Sequence, residues 1–124
     1  MSLITTLTRF SAVTDNNSLE GKGVKAYTQA YAATSAWVAK SAYLQHVCYA
    51  QLTGAMTINA TVTNLLQFDE VIFWFATDGT QRIVTFGTNF LSSGTVTIPA
   101  SKGAVVKAIF DGTNLNVISR EIYA

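Results

Sequence analysis

Glu70-Val71-Ile72-Phe73-Trp74-Phe75-Ala76-Thr77 is apolar at nearly every position, and Asp78-Gly79-Thr80 follows it at once. Such a run suits a strand covered on both faces, as in the middle of a sandwich. The Asp-Gly pair reads as a hairpin turn, because it readily supplies the φ > 0 conformations that tight turns need. Arg82-Ile83-Val84-Thr85-Phe86 is then the returning strand, and Gly87-Thr88-Asn89 turns again. Phe90 and Leu91 are expected to anchor the loop that follows.

The pattern extends in both directions. Upstream, Met56, Ile58, Ala60 and Val62 alternate with Thr57, Asn59, Thr61 and Thr63, the period of a half-buried strand. Val47-Cys48-Tyr49-Ala50-Gln51-Leu52-Thr53 forms another strand, broken from the next by Gly54-Ala55. Downstream, Thr95-Val96-Thr97-Ile98 alternates and stops at Pro99, which cannot donate to a ladder. Gly103 to Phe110 and Leu115 to Tyr123 form a final hairpin around Asp111-Gly112-Thr113-Asn114. Short strands at this spacing, without a βαβ rhythm, predict an all-β fold. The expected architecture is an antiparallel β-sandwich, jelly-roll-like, over residues 24–124, with an extended N-terminal arm over residues 1–23.

Residues 24–46 are ambiguous. Ala26, Ala30, Ala32, Ala33, Ala36, Ala39 and Ala42 favour helix. Tyr27, Tyr31, Trp37 and Tyr43 all fall on odd positions, as they would on one face of a strand pair. Strand or extended structure with one helical turn is the expectation. The aromatics are either core or a subunit interface, where Tyr and Trp are enriched. Tyr27, Tyr31, Trp37 and Tyr43 are therefore the candidate interface residues. In the arm, Leu3, Ile4, Leu7 and Phe10 are scattered among Thr and Ser, and they are the candidate docking residues.

Composition narrows the function. The chain has 124 residues, one domain's worth, of which 49% are hydrophobic and only 12% charged. An ordinary soluble domain carries about a quarter charged residues. Low charge with high apolar content fits a Thr-rich β-protein, a chain that buries surface against copies of itself, or both. The net charge is +1 with no Lys/Arg cluster, so the footprint of nucleic-acid binding is missing. The N-terminus has no basic segment followed by a long apolar run, and no stretch of about 18 uninterrupted apolar residues occurs. Neither a leader nor a membrane span is expected.

The order and spacing of four segments carry a family resemblance. They are Phe73-Trp74-Phe75 ending in Asp78-Gly79-Thr80, then Arg82 to Phe90, then Gly94-Thr95-Val96-Thr97-Ile98-Pro99, and last Ile109-Phe110-Asp111-Gly112-Thr113-Asn114. Together, over about residues 65–120, they resemble a β-sandwich module of tailed-phage virion proteins, found in capsid decoration proteins, head fibres and tail fibres. Leu115 stands where that family often has an aromatic residue. The resemblance implies a virion structural protein, commonly a homotrimer, made in the host cytoplasm and bound to the major capsid protein or another virion protein. It implies no catalytic residues and no cofactor. A free-standing chain of this size is easier to understand as a capsid decoration or head-fibre protein than as a tail fibre.

No catalytic constellation stands out. His46 and Cys48 share one face of a strand, but a Cys-His dyad also needs an orienting group and an oxyanion hole. The plainer reading is a buried Cys beside a surface or interface His. Two such residues are too few for a zinc site within one chain. Asp69 and Glu70 are adjacent and face opposite sides of a strand. The turn chemistry of Asp78 and Asp111 accounts for both. A non-enzymatic virion protein is the expectation, with receptor or glycan recognition at a tail tip as the alternative. For glycan binding, Tyr49, Trp74 and Phe90 are candidates by type, but their positions read as core.

Overall fold

Among the described residues there are ten strands in two sheets, and the first nine alternate between them. The structure is a computed structural model describing residues 23–40, 43–91 and 94–124. The strands are β1 (Val24–Thr28), β2 (Thr34–Val38), β3 (Gln45–Leu52), β4 (Met56–Thr61), β5 (Glu70–Thr77), β6 (Arg82–Phe86), β7 (Phe90–Leu91), β8 (Thr95–Ile98), β9 (Gly103–Phe110) and β10 (Leu115–Tyr123). One sheet has the order β1-β3-β5-β9-β10-β7 and the other β2-β4-β6-β8. The all-β expectation holds.

The first six strands build three stacked rungs. Each rung is one strand in the larger sheet followed by one in the smaller. The chain crosses between sheets after every strand, so each returns to its sheet running the same way as the last. Val24 pairs with Gln45 and Gln45 with Glu70, both in parallel register. Thr34 pairs with Thr57 and Thr57 with Thr85, also parallel. Parallel strands need a crossover connection, and here a strand of the opposite sheet supplies it instead of a helix. The antiparallel jelly-roll expected from sequence is therefore corrected to a solenoid-like stack. Antiparallel pairing is confined to the C-terminal part, where β9 lies against β5, β10 against β9 and β8 against β6.

Two turns show why. Asp78-Gly79-Thr80 joins β5 to β6, which lie in different sheets, so it is a corner and not the hairpin expected. The Asp78 carboxylate fixes that corner by accepting from Thr80 N at 3.2 Å and from Arg82 at 3.0 and 2.8 Å. Asp111-Gly112-Thr113-Asn114 is a true hairpin. Asp111 Oδ1 accepts from the Thr113 and Asn114 amides, and Gly112 takes φ 102°, which favours glycine.

The core lies between the sheets. From the larger sheet, β3, β5 and β9 send in His46, Cys48, Ala50, Leu52, Val71, Phe73, Phe75, Ala104, Val106 and Ala108. From the smaller sheet come Trp37, Met56, Ile58, Val84, Phe86 and Ile98. Cys48 and Ala50 on β3 and Ala104 and Ala108 on β9 are small, whereas Trp37, Met56, Ile58 and Phe86 of the other sheet are bulky. Phe73 is central: its ring lies 5.7 Å from those of Trp37 and Phe90.

Candidate functional site: an aromatic strip on the outer sheet face

Strict alternation on β3 and β5 turns every second side chain away from the core. Cys48, Ala50, Phe73 and Phe75 point in; Val47, Tyr49, Gln51, Ile72, Trp74 and Ala76 point out. No other layer of the described chain covers that outer face, so the β5 run is buried on one side only. Parallel register then sets Tyr49 beside Trp74 and Gln51 beside Ala76. Trp74 is 42% exposed and Tyr49 37%. Both were expected in the core. Of the three aromatics considered by type, only Phe90 is there.

A third aromatic joins them through an irregularity. The pairing of β10 with β9 shifts between Val117 and Ser119, leaving Ile118 as an extra residue. Such a bulge resets which side chains face outward. Val117 opposite Ala108 faces the core, whereas beyond the bulge Tyr123 lies opposite Gly103 on the outer face. The Tyr123 ring covers Gly103 so closely that a Cβ there would run into it. Glycine in a strand marks such close approach. Tyr123 thereby reaches Trp74: the rings meet edge to face at 5.9 Å, and Trp74 Nε1 donates to Tyr123 Oη. On the other flank, Tyr49 Oη donates to Gln51 Oε1 at 3.1 Å. Beside the strip, Lys107 pairs with Glu70 at 3.0 Å, and Gln45 also donates to Glu70. Those two bonds hold the Glu70 carboxyl below its usual range. The result is an aromatic surface whose polar tips are held in place.

The candidate interface residues sit elsewhere, around the first rung. Trp37 is only 1% exposed, inside the core, with ring contacts to Tyr27, His46 and Phe73. Tyr27 is half-buried on β1, its hydroxyl 2.8 Å from His46 Nδ1 and accepting from Lys40 N at 2.9 Å. Tyr31 folds over Gly54 and donates to the Ala55 carbonyl at 2.8 Å. Tyr43 is half-buried near His46 and beneath the Lys25 ammonium. Leu3, Ile4, Leu7 and Phe10 lie outside the described residues.

His46, expected at the surface or at an interface, is fully buried within the chain. Its Nε2 makes no hydrogen bond within the described chain, nor do buried Trp37 Nε1 and Ser35 Oγ. Burial lowers the His46 pKa below 6.5, against the opposing Asp69 charge and Tyr43 backbone. The unfolded chain thus binds the proton more readily than the folded one, so stability is complete above pH 6.5 and declines as pH falls through the folded value. Glu70, Asp78 and Asp111 have depressed pKa values, so their contributions fade only at lower pH, below the ordinary carboxylate values. Urea titrations at stepped pH should therefore show a loss in the window between pH 6.5 and the carboxylate range. That loss should be absent in His46→Gln; a profile flat over this window in the parent chain contradicts the assignment.

Cys48 is buried, and burial pushes its thiol up to about 12. A thiol kept protonated is no nucleophile. Native protein is expected to resist a thiol reagent that labels the urea-unfolded chain at once; equal rates would refute this. Asp69 and Glu70 diverge as expected. Asp69 is buried and caps Leu66 N at 2.8 Å, while Glu70 takes the outer-face pairing above. Among the described residues no group of three or more His, Cys, Asp or Glu side chains is placed to hold a metal, and no helix is long and apolar enough to cross a membrane. What the arrangement offers chemically is a binding face. No protein-family model matches this chain, and no curated protein matches it either.

Proposed function

We propose that the chain is a non-enzymatic structural module of a tailed-phage virion, a capsid decoration or head-fibre protein that sits on the capsid surface as a homotrimer. The observation that carries the assembly part is the open first rung. Among the described residues, β1 pairs only with β3 and β2 only with β4, so both sheets end on strands with a free edge. Unpaired edges are templates for further strand pairing, and stacked folds are completed by whatever covers their terminal rungs. Three buried polar atoms without partners, on Ser35, Trp37 and His46, belong to this same end. The virion setting rests on the resemblance over residues 65–120. Light scattering coupled to gel filtration is expected to give the trimer mass, and the purified protein should co-sediment with capsids. A folded monomer at micromolar concentration that ignores capsids would overturn the reading.

The outer aromatic strip favours a second reading, a receptor-binding module. Half-exposed Tyr49, Trp74 and Tyr123 with fixed polar tips suit ligand recognition better than lattice reinforcement.

A further inference from the structure

We propose that the outer face of the six-stranded sheet is a saccharide-binding site in which Trp74, flanked by Tyr49 and Tyr123, stacks the flat face of a neutral pyranose chain. The inference deepens the receptor-binding reading and rests on it. It starts from what this surface lacks and what it offers. The ion pair beside the strip, Glu70 with Lys107, closes on itself, and Glu121 leaves a single carboxylate at the rim. An anionic ligand is therefore disfavoured here, whereas an uncharged one bearing hydroxyls loses nothing and can donate to that carboxylate. An aromatic ring offers an apolar body with a negative face, and Tyr and Trp add a polar tip. A sugar whose ring hydroxyls are all equatorial is the complement: its two faces are slightly positive C–H surfaces, and its rim is hydroxyl.

The polar groups favour a sugar over a protein. Gln51 uses Oε1 toward Tyr49 and Nε2 toward the Ala76 carbonyl at 3.4 Å, which leaves one amide hydrogen and one lone pair free. Glu121, across Val105 in the same row as Tyr49 and Trp74, adds a carboxylate acceptor at the rim. An apolar partner or a second copy packed flat here would bury these groups without partners, which is costly. A polyhydroxyl ligand satisfies them. Neighbouring strands lie about 4.8 Å apart, so Tyr49 and Trp74 present adjacent platforms, and Tyr123, from the next row, reaches over Gly103 to the far side of Trp74. The platform is also prepared before binding. Trp74 is tied to Tyr123, Tyr123 is seated on Gly103, and Tyr49 is tied to Gln51. Holding rings in place beforehand removes part of the ordering cost of association.

The test uses cellohexaose and chitohexaose as probes, both β-1,4-linked chains of all-equatorial sugars. Tryptophan fluorescence with acrylamide as quencher reads Trp74 selectively, because Trp37 is only 1% exposed. At least one probe is expected to shield Trp74 at or below about 1 mM. Trp74→Ala should abolish binding by calorimetry. Gly103→Ala, which displaces Tyr123, should weaken it about tenfold. Ile83→Ala, on the outer face of the other sheet, should change nothing. If neither probe shields Trp74 at that concentration, or if shielding grows with protein concentration in the absence of sugar, the proposal is overturned. Capsid co-sedimentation of the same variants is read separately. Loss of sugar binding with intact capsid binding separates this site from the structural role.

Discussion

Phe73→Ala is expected to lower the free energy of unfolding by about 3–5 kcal/mol, the cost of emptying a large buried ring site. Trp74→Ala, the very next residue, should cost about 1 kcal/mol, the scale of a cross-strand surface contact. The two side chains leave the same strand in opposite directions. Phe73 is fully buried and stacks parallel to Phe75 at 6.1 Å, with Phe86 at 6.3 Å and Phe90 at 5.7 Å. It thus ties the second sheet to the third rung. Trp74 touches Tyr123 and is 42% exposed. Paired urea denaturation curves measure the difference. Equal losses would mean that β5 is covered on both faces, the situation expected of a closed sandwich.

The second large effect belongs to Trp37. Trp37→Ala should cost about 3–5 kcal/mol, because its ring joins Tyr27, His46 and Phe73 across the gap between the sheets. Trp37→Phe should cost far less. The smaller ring gives up packing, but it also removes a buried N–H that has no partner in the described chain, and such a group carries a penalty of about 1–3 kcal/mol. Hydrogen exchange should show the alanine variant opening first in β1 and β2, since among the described residues the first rung has neighbours on one side only. Uniform loss of protection across all ten strands would contradict a stack built rung by rung.

Most strands from Val47 onward were legible in the sequence, β1 and β2 fell in an ambiguous stretch, β7 formed where a loop was expected, and strand direction was not legible. Alternation in Met56 to Thr61 and Thr95 to Ile98 placed β4 and β8, and Pro99 marked the end of β8. Yet alternation reports only which side chains share a face, and it reads the same in parallel and antiparallel pairs. Direction depends on whether a turn folds back within a sheet or crosses to the other one. Asp111-Gly112 and Asp78-Gly79 look alike as dipeptides, but only the first lies between paired strands. The aromatic strip was hidden for a related reason. A run such as Val71 to Ala76 is apolar on both parities, so nothing in it says that Phe73 faces in and Trp74 out. Tyr123 was further concealed by the bulge at Ile118, which reverses the parity of the strand's last residues. The one advance signal was Gly103, a glycine inside a strand, the usual mark of something packed closely upon it.

Interstrand contacts between β3 and β5 test the stacked-rung account most directly. Amide and α-proton nuclear Overhauser effects on labelled protein should rise together along both strands: Val47 with Ile72, Tyr49 with Trp74, Gln51 with Ala76. That ascending series is the mark of parallel strands, and it brings Tyr49 and Trp74 side by side on the outer face. A descending series, in which contacts of Val47 fall nearer Ala76 and those of Gln51 nearer Ile72, would contradict the account and restore an antiparallel sandwich.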